Sequence, residues 1–168
     1  MIWLLNCCTH HFVLFDFEGT LICAAVKKGI HAMTVGLVIV SHSARLAEGV
    51  AELAGQMAQD KVAIAVAGGT ADGALGTSVE KILGALQEVD GPDGILVLLD
   101  LGSAVMATEM AVEAFAQDFR HRVIISPAPL VEGAVVAAVE SSIGNSLQEV
   151  AEAAASAYSL PKVHNQHT

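Results

Sequence analysis

Four short runs of aliphatic residues, each followed by a segment with helical periodicity, constrain the fold of this chain most strongly. The runs are Val35–Ser41, Val62–Ala67, Ile95–Leu99 and Val123–Ile125. Short, continuously apolar runs of this kind are typical of strands buried on both faces. The segments predicted to be helical are 43–59, 78–89, 103–117, 130–142 and 146–158. Strands alternating with helices over short connections predict right-handed βαβ units, and therefore a doubly wound α/β fold: an open parallel sheet of four or more strands with helices on both faces.

One predicted helix has a well-defined apolar face. Leu46, Val50, Leu53, Ala54 and Met57 repeat at helical spacing within 43–59, and we expect this face to pack on the sheet.

The composition supports such a fold and restricts the classes of molecule that the chain is expected to bind. Hydrophobic residues make up 54% of the chain but aromatic residues only 4%, so the core must consist of Val, Ile, Leu and Ala. The formal net charge is −10, and no cluster of Lys and Arg offers a footprint for nucleic acid or anionic lipid. We therefore expect no nucleic acid and no membrane among the partners, but a protein with a basic face.

The composition also changes near residue 33, because all three cysteines and most aromatic residues precede it. Residues 1–32 lack the cationic start of a signal peptide, and polar residues interrupt their apolar ones. We expect residues 1–32 to be a leader that is either disordered or the product of a start codon assigned too early. Residues 33–158 would form the functional domain, and 159–168 a frayed tail.

Polar residues follow each predicted strand. The strand ends read Ser41-His42-Ser43, Gly68-Gly69-Thr70, Asp100-Leu101-Gly102-Ser103 and Ser126-Pro127. In open parallel sheets, ligands bind beyond the carboxyl ends of the strands, where the strand order reverses. The sequence therefore predicts that one imidazole, one carboxylate, several hydroxyls and bare backbone share one edge of the sheet.

This combination suits phosphoryl transfer through His42. A neutral imidazole is a competent nucleophile near neutral pH, because histidine side chains ordinarily have a pKa of about 6.5. The second ring nitrogen needs an acceptor to fix the tautomer, and Asp100 is the candidate for orienting His42 in this way. Alone, such a histidine is more often structural and such an aspartate is often a cap; their joint placement favours catalysis. The mechanism requires no metal ion, and none is predicted.

The phosphoryl group brings negative charge, which backbone N–H groups and hydroxyls at this edge can bind. The residues predicted to contact phosphate are Ser43, Gly68, Gly69, Thr70, Thr77, Gly102 and Ser103.

Four segments resemble a known family: "GLVIVSHSARLAEGVAELAGQM", "AGGTADGALGTSVEKI", "GILVLLDLGSAVMATEMA" and "APLVEGAVVAAVE". They are similar to the phosphotransfer subunits of bacterial dihydroxyacetone kinases, whose domain is of the mannose-type enzyme IIA kind. The resemblance covers about residues 33–158, and its motifs are spread over every strand end.

The resemblance implies a role in a phosphate relay. Such subunits accept a phosphoryl group from HPr of the phosphoenolpyruvate-dependent phosphotransferase system on the histidine that corresponds to His42. They pass it to ADP bound by the subunit DhaL, while DhaK binds dihydroxyacetone. Asp100 matches the carboxylate that supports the active histidine. The resemblance further implies a cytoplasmic homodimer that holds no cofactor itself, because ADP and ATP stay on DhaL.

Three other functions remain open. A sugar-transport enzyme IIA of the mannose type would share the fold and the histidine. A small tetrapyrrole metal chelatase ends its first strand in a similar motif, but it would need a second histidine or an acidic pair near the cavity. An anion-binding module without catalysis would form no covalent intermediate.

Overall fold

A computed structural model of the chain describes residues 14–15, 21–22, 34–115, 122–159 and 161–162. The chain divides into two units, Met1–His31 and Ala32–Thr168. In the first unit, strand β1 (Leu14–Phe15) pairs antiparallel with strand β2 (Leu21–Ile22). Most of the predicted leader and tail lies outside the described residues, so both assignments stay predictions.

The second unit alternates strands and helices, as the sequence predicts. Its elements are β3 (Gly36–Ser41), α1 (Ala44–Met57), β4 (Ile64–Gly68), α2 (Val79–Glu88), β5 (Ile95–Leu99), α3 (Ala104–Phe115), β6 (Val123–Ile125), α4 (Leu130–Ser142) and α5 (Leu147–Ser156). A 3-10 turn at Ala157–Ser159 follows α5. The largest shift among the strands is at β4, which begins two residues later than predicted.

The strands β3 to β6 form one parallel sheet with the order β4-β3-β5-β6. The chain runs from β3 outward to β4 and then crosses back to β5 on the other side of β3. The strand order therefore reverses between β3 and β5, which makes this the switch point of a doubly wound sheet. The predicted fold class is confirmed.

Helices cover both faces of this sheet. The core on one face joins residues of α1, α4 and α5 to the sheet, and the core on the other joins residues of α2 and α3. All six residues of β3 are buried, which explains why the strand is continuously apolar from Leu37 to Val40 rather than alternating. Each fully buried Val, Leu or Ile side chain contributes about 1.5–3 kcal/mol to this core.

Helix α1 corrects one prediction. Its buried residues are Ala47, Val50 and Ala54, whereas Leu46, Leu53 and Met57 are exposed. Val50 and Ala54 are therefore buried as predicted, but the three long side chains lie off the face that packs. Helix α1 contacts α4, which buries Gly133 and three alanines, so small residues on both helices allow a close approach.

Among the helices of the described residues, none has the length and apolar character needed to span a membrane.

Candidate functional site

The carboxyl ends of β3 and β5 bring His42 and Asp100 together at the switch point. Val40 pairs with Leu99 in the last register position between these strands, and the Asp100 N–H donates to the Val40 carbonyl at 3.2 Å. His42 follows β3 by one residue, and its Nδ1 lies 2.9 Å from Oδ1 of Asp100. The contact predicted between the imidazole and the carboxylate is therefore present.

The Asp100 carboxylate is held by three hydrogen bonds. Besides the ring nitrogen, the His42 backbone N–H donates to Oδ2 at 2.8 Å, and the Ser41 hydroxyl donates to Oδ2 at 2.9 Å. The Ser41 Oγ in turn accepts from the Ser43 N–H at 3.0 Å. Ser41 is fully buried, and it was not among the predicted site residues. The sequence held a signal for Ser41, because a hydroxyl at the end of an otherwise apolar buried strand requires hydrogen-bond partners.

These contacts lower the pKa of Asp100. Burial raises the pKa, but hydrogen bonds from the His42 backbone, the His42 ring and the Ser41 hydroxyl, together with the His42 charge, outweigh it. The carboxylate is therefore ionised near neutral pH and can only accept hydrogen bonds. Nδ1 of the His42 ring must then carry the hydrogen, which leaves the lone pair of a neutral ring on Nε2.

Nε2 of His42 faces a hydroxyl and solvent. Ser103 Oγ lies 3.1 Å from Nε2, at a distance that lets its hydroxyl donate to the lone pair. The His42 side chain is 27% exposed, so the ring is not enclosed by the aliphatic core. Nε2 is thus the nucleophilic nitrogen. The Asp100 carboxylate orients the ring through Nδ1, and the ring is accessible to solvent.

Two N–H groups of the glycine-rich loop after β4 bind the backbone at the site and are therefore not open to a ligand. The Gly69 N–H donates to the Ser41 carbonyl at 3.0 Å, and the Gly76 N–H donates to the His42 carbonyl at 2.9 Å. A Cβ on Gly68 would lie 2.5 Å from Ala44 Cα, so only glycine permits this approach of loop and helix. The predicted phosphate contact through the Gly69 amide would require breaking its bond to Ser41.

Two predicted hydroxyls are also engaged elsewhere. The Thr70 hydroxyl contacts the Asp72 carboxylate and lies 3.2 Å from the Ala74 carbonyl, and the Thr70 N–H donates to the same carbonyl at 2.9 Å. Ser43 caps α1, because its Oγ accepts from the Leu46 N–H at 3.4 Å. Thr77 lies at the end of the loop and is partly buried. For these residues, phosphate binding stays a prediction without a contact to the ring.

The N-termini of the helices beside the ring contain backbone N–H groups that, among the described residues, have no hydrogen-bond partner. Within the described part of the chain, no hydrogen bond engages the N–H groups of Gly102 and Ser103, which precede α3. The same holds for Ala44 and Arg45 in the first turn of α1. Such orphan amides at helix N-termini are the usual binding groups for phosphate oxygens. Of the predicted phosphate contacts, Ser103 is the one whose side chain lies against Nε2.

A lysine and two cavities adjoin this edge, and one of the cavities, of about 310 Å³, is lined by Lys81, Gly68 and Ala44 among others. Lys81 of α2 donates from Nζ to the Gly68 carbonyl at 2.9 Å and so ties α2 to the end of β4. A cavity of about 380 Å³ adjoins Asp100, with Leu101, Pro127 and Tyr158 among its lining residues. His42 does not line this cavity. In the described residues, no group of three or more His, Cys, Asp or Glu side chains is placed to hold a metal ion.

A family model described as "PTS system fructose IIA component" matches residues 36–151. The phosphoryl donor subunit DhaM of the PEP-dependent dihydroxyacetone kinase of Escherichia coli K12 is 43% identical over 119 residues, which cover 69% of this chain and 25% of that protein. The DhaM subunit of dihydroxyacetone kinase 2 of Listeria innocua is 36% identical over 116 residues, which cover 69% of this chain and 93% of that protein. The chain thus spans about a quarter of the first relative and nearly all of the second.

Solved structures share the architecture. The crystal structure of the unknown function protein EF1359 superposes with a TM-score of 0.66 at 34% identity, covering 73% of this chain and 94% of that one. The dihydroxyacetone kinase of C. freundii, solved with AMP-PNP and Mg²⁺, gives a TM-score of 0.52 at 16% identity. It covers 76% of this chain and 25% of that one, and at this identity the likeness concerns the fold alone.

Proposed function

Because the chain belongs to the family of PTS fructose IIA components and, within it, to the DhaM phosphoryl donor subunits of dihydroxyacetone kinases, we propose that it is a phosphohistidine relay. In this proposal HPr delivers a phosphoryl group to His42. His42 passes it to ADP held by DhaL, and the ATP formed there phosphorylates dihydroxyacetone on DhaK. The chain is then the phosphocarrier subunit of a phosphotransferase and never contacts the sugar.

One observation carries this proposal. The bond between His42 Nδ1 and the Asp100 carboxylate leaves Nε2 as the nucleophilic nitrogen, and Nε2 faces solvent beside the Ser103 hydroxyl. A histidine with a merely structural role would be enclosed by the fold, whereas the His42 side chain is 27% exposed.

In the first step, the Nε2 lone pair attacks the phosphorus of phosphorylated HPr. An Nε2–P bond forms, the bond from phosphorus to the donor's ring nitrogen breaks, and its electron pair returns to that nitrogen. The His42 ring becomes a phosphoimidazolium, whose positive charge the ionised Asp100 balances. The Ser103 hydroxyl, released from Nε2, then donates a hydrogen bond to a phosphoryl oxygen, and the N–H groups of Gly102 and Ser103 donate to the phosphoryl group as well.

In the second step, an oxygen of the β-phosphate of ADP attacks the phosphorus on His42. The Nε2–P bond breaks and its electron pair returns to Nε2, which restores the neutral ring and its bond to Asp100. ADP gains the phosphoryl group and becomes ATP on DhaL. Both steps use the same nitrogen from the same side, so catalysis consists of positioning and charge stabilisation.

Incubation with phosphoenolpyruvate, enzyme I and HPr tests the proposal. We expect one phosphoryl group per chain, labile in acid and stable in base, which peptide mass spectrometry locates on His42. His42→Ala should carry none, and the wild-type phosphoprotein should convert ADP to ATP when DhaL is added. Labelling that persists in His42→Ala would refute the relay.

The description of the family model favours a second candidate, a IIA component for sugar transport. That function shares the first step and differs in the acceptor, which would be a protein of the transporter rather than ADP on DhaL. Loss of the label upon addition of DhaL with ADP supports the kinase relay. Retention of the label under the same conditions supports transport.

Assembly and location form part of the same proposal. We expect a cytoplasmic homodimer that binds no nucleotide in the absence of DhaL. Sedimentation equilibrium measures the mass of the assembly, and equilibrium dialysis with labelled ADP measures binding by this chain alone. A monomer, or retention of ADP without DhaL, would contradict these two points and leave the His42 chemistry untouched.

A further inference from the structure

Helix α3, which begins just after Ser103, carries two large apolar side chains that the fold leaves in solvent. Met106 is 73% exposed and Met110 59%. Ser103, whose hydroxyl contacts Nε2, stands three residues before Met106, and Met110 follows one turn later. At this spacing the residues share one face. We call Met106 and Met110 the methionine strip.

The fold itself does not need the methionine strip. Helix α3 packs through its other face, where Ala104, Thr108 and Ala111 are buried. Single exposed apolar residues are ordinary, but neighbouring large ones beside a reactive group are typical of interaction sites. The strip extends along α3 from the nitrogen that is to be phosphorylated, so a protein reaching Nε2 from this side covers it.

We propose that the methionine strip is the docking surface for the protein that donates the phosphoryl group. This inference rests on the proposed function, because the donor's phosphorus must come within bonding distance of Nε2. The donor that fits presents an apolar centre surrounded by Lys and Arg. Methionine suits such contacts, because its unbranched side chain adapts to the partner's shape.

The negative charge around the strip favours a donor with a basic rim over a second copy of this chain as the binding partner. Glu109 lies at a helical position beside the two methionines, and the chain carries a net charge of −10. In a two-fold dimer the patch would face a copy of itself, so one acidic surface would meet another. A basic donor meets the opposite charge, which also accelerates encounter.

The chemistry of the relay favours the donor over the acceptor. A donor must bind the unphosphorylated ring, whose Nε2 lies against Ser103. After transfer, the phosphoryl group adds about two negative charges next to the strip. The acceptor therefore meets the same surface with this added charge, which suits an apolar contact less well.

A charge-introducing variant tests the docking surface. Met106→Lys places a cation where the donor's basic rim should lie, and we expect the KM for phosphorylated HPr to rise about tenfold with kcat within about twofold. Met57→Lys is the matched control, because Met57 is 54% exposed at the last residue of α1, the end away from His42. It makes the same charge change and should behave as wild type, as should Met106→Leu.

A small phosphoryl donor separates docking from chemistry. Phosphoramidate needs no protein surface, so it should label His42 in Met106→Lys at the wild-type rate. An unchanged KM for HPr, an equal change in Met57→Lys, or a parallel loss with phosphoramidate would each overturn the docking proposal. A lower assembly mass for Met106→Lys in sedimentation would assign the strip to a second copy and overturn it too. If wild type takes no label on His42 from either donor, the proposed function itself fails.

Discussion

Two regions border His42: the sheet edge at the ends of β3 and β5, and the glycine-rich loop after β4. They hold the residue differently. At the edge, the side chains of Asp100, Ser41 and Ser103 form the hydrogen bonds. The loop reaches the same segment through main-chain bonds, from the N–H groups of Gly69 and Gly76. The chemistry should therefore depend on side-chain identity at the edge and on backbone conformation in the loop.

Asp100→Asn should give the largest effect in this comparison. The amide keeps the shape of the side chain but cannot balance the charge of a phosphoimidazolium, and its NH₂ group can face Nδ1. We expect the single-turnover rate of phosphoryl transfer from HPr, measured by rapid quench, to fall about 100-fold. Asp72→Asn is the matched control in the loop, where the carboxylate contacts Thr70, and its rate should stay near wild type.

The lowered pKa of Asp100 gives this prediction a second measurement. A carboxyl group whose pKa is depressed in the folded state contributes stability above its unfolded pKa, and that contribution is lost as the pH falls through the folded value. The difference in unfolding free energy between wild type and Asp100→Asn should therefore shrink as the pH is lowered below 3.8, the ordinary pKa of the carboxyl group. A difference independent of pH would show that the charge of Asp100 contributes nothing to the free energy of unfolding.

The sequence predicts the edge well for a simple physical reason. Parallel strands buried on both faces must be continuously apolar, so β3 and β5 are visible as runs of Val, Ile and Leu. Once the strands are parallel, their carboxyl ends share an edge, and the pairing of His42 with Asp100 follows from topology. Topology does not say which ring nitrogen meets the carboxylate, and only the structure identifies it as Nδ1.

The loop and the helix faces could not be predicted in the same way. Glycine spacing indicates a turn but not where each N–H points, so the bond from Gly69 to the Ser41 carbonyl was missed. Alanine-rich helices carry apolar residues on more than one face, and periodicity does not say which face packs. Helix α1 accordingly buries Ala47 while Leu46 stays exposed.

Ser41→Ala should have an intermediate effect at the edge. The change removes one donor to Asp100 and leaves the Ser43 N–H without its acceptor, which costs about 1–3 kcal/mol of unfolding free energy. We expect transfer from HPr to slow about tenfold, because Asp100 then orients the ring less firmly. Urea denaturation and rapid quench measure the two quantities.

Ser141→Ala separates stability from positioning. Ser141 is also fully buried, but its hydroxyl donates at 2.8 Å to the carbonyl of Val35, at the other end of β3 from His42. We expect it to lose comparable stability with no change in transfer. If both serine variants slow transfer equally, Ser41 acts through overall stability and not through Asp100.

Gly69→Ala should give the smallest effect and tests the loop side of the comparison. Gly69 has φ +68, and a Cβ there would lie 2.9 Å from the Ala74 carbonyl oxygen; Gly73 has φ +85 with nothing within 4 Å. Both alanine variants pay for the left-handed conformation, about 1–2 kcal/mol in urea denaturation, but only Gly69→Ala disturbs the loop next to Ser41 and His42. Transfer should slow about threefold in Gly69→Ala and stay unchanged in Gly73→Ala. Equal rates in the two variants would mean that the loop does not position His42, and that the side chains at the edge suffice.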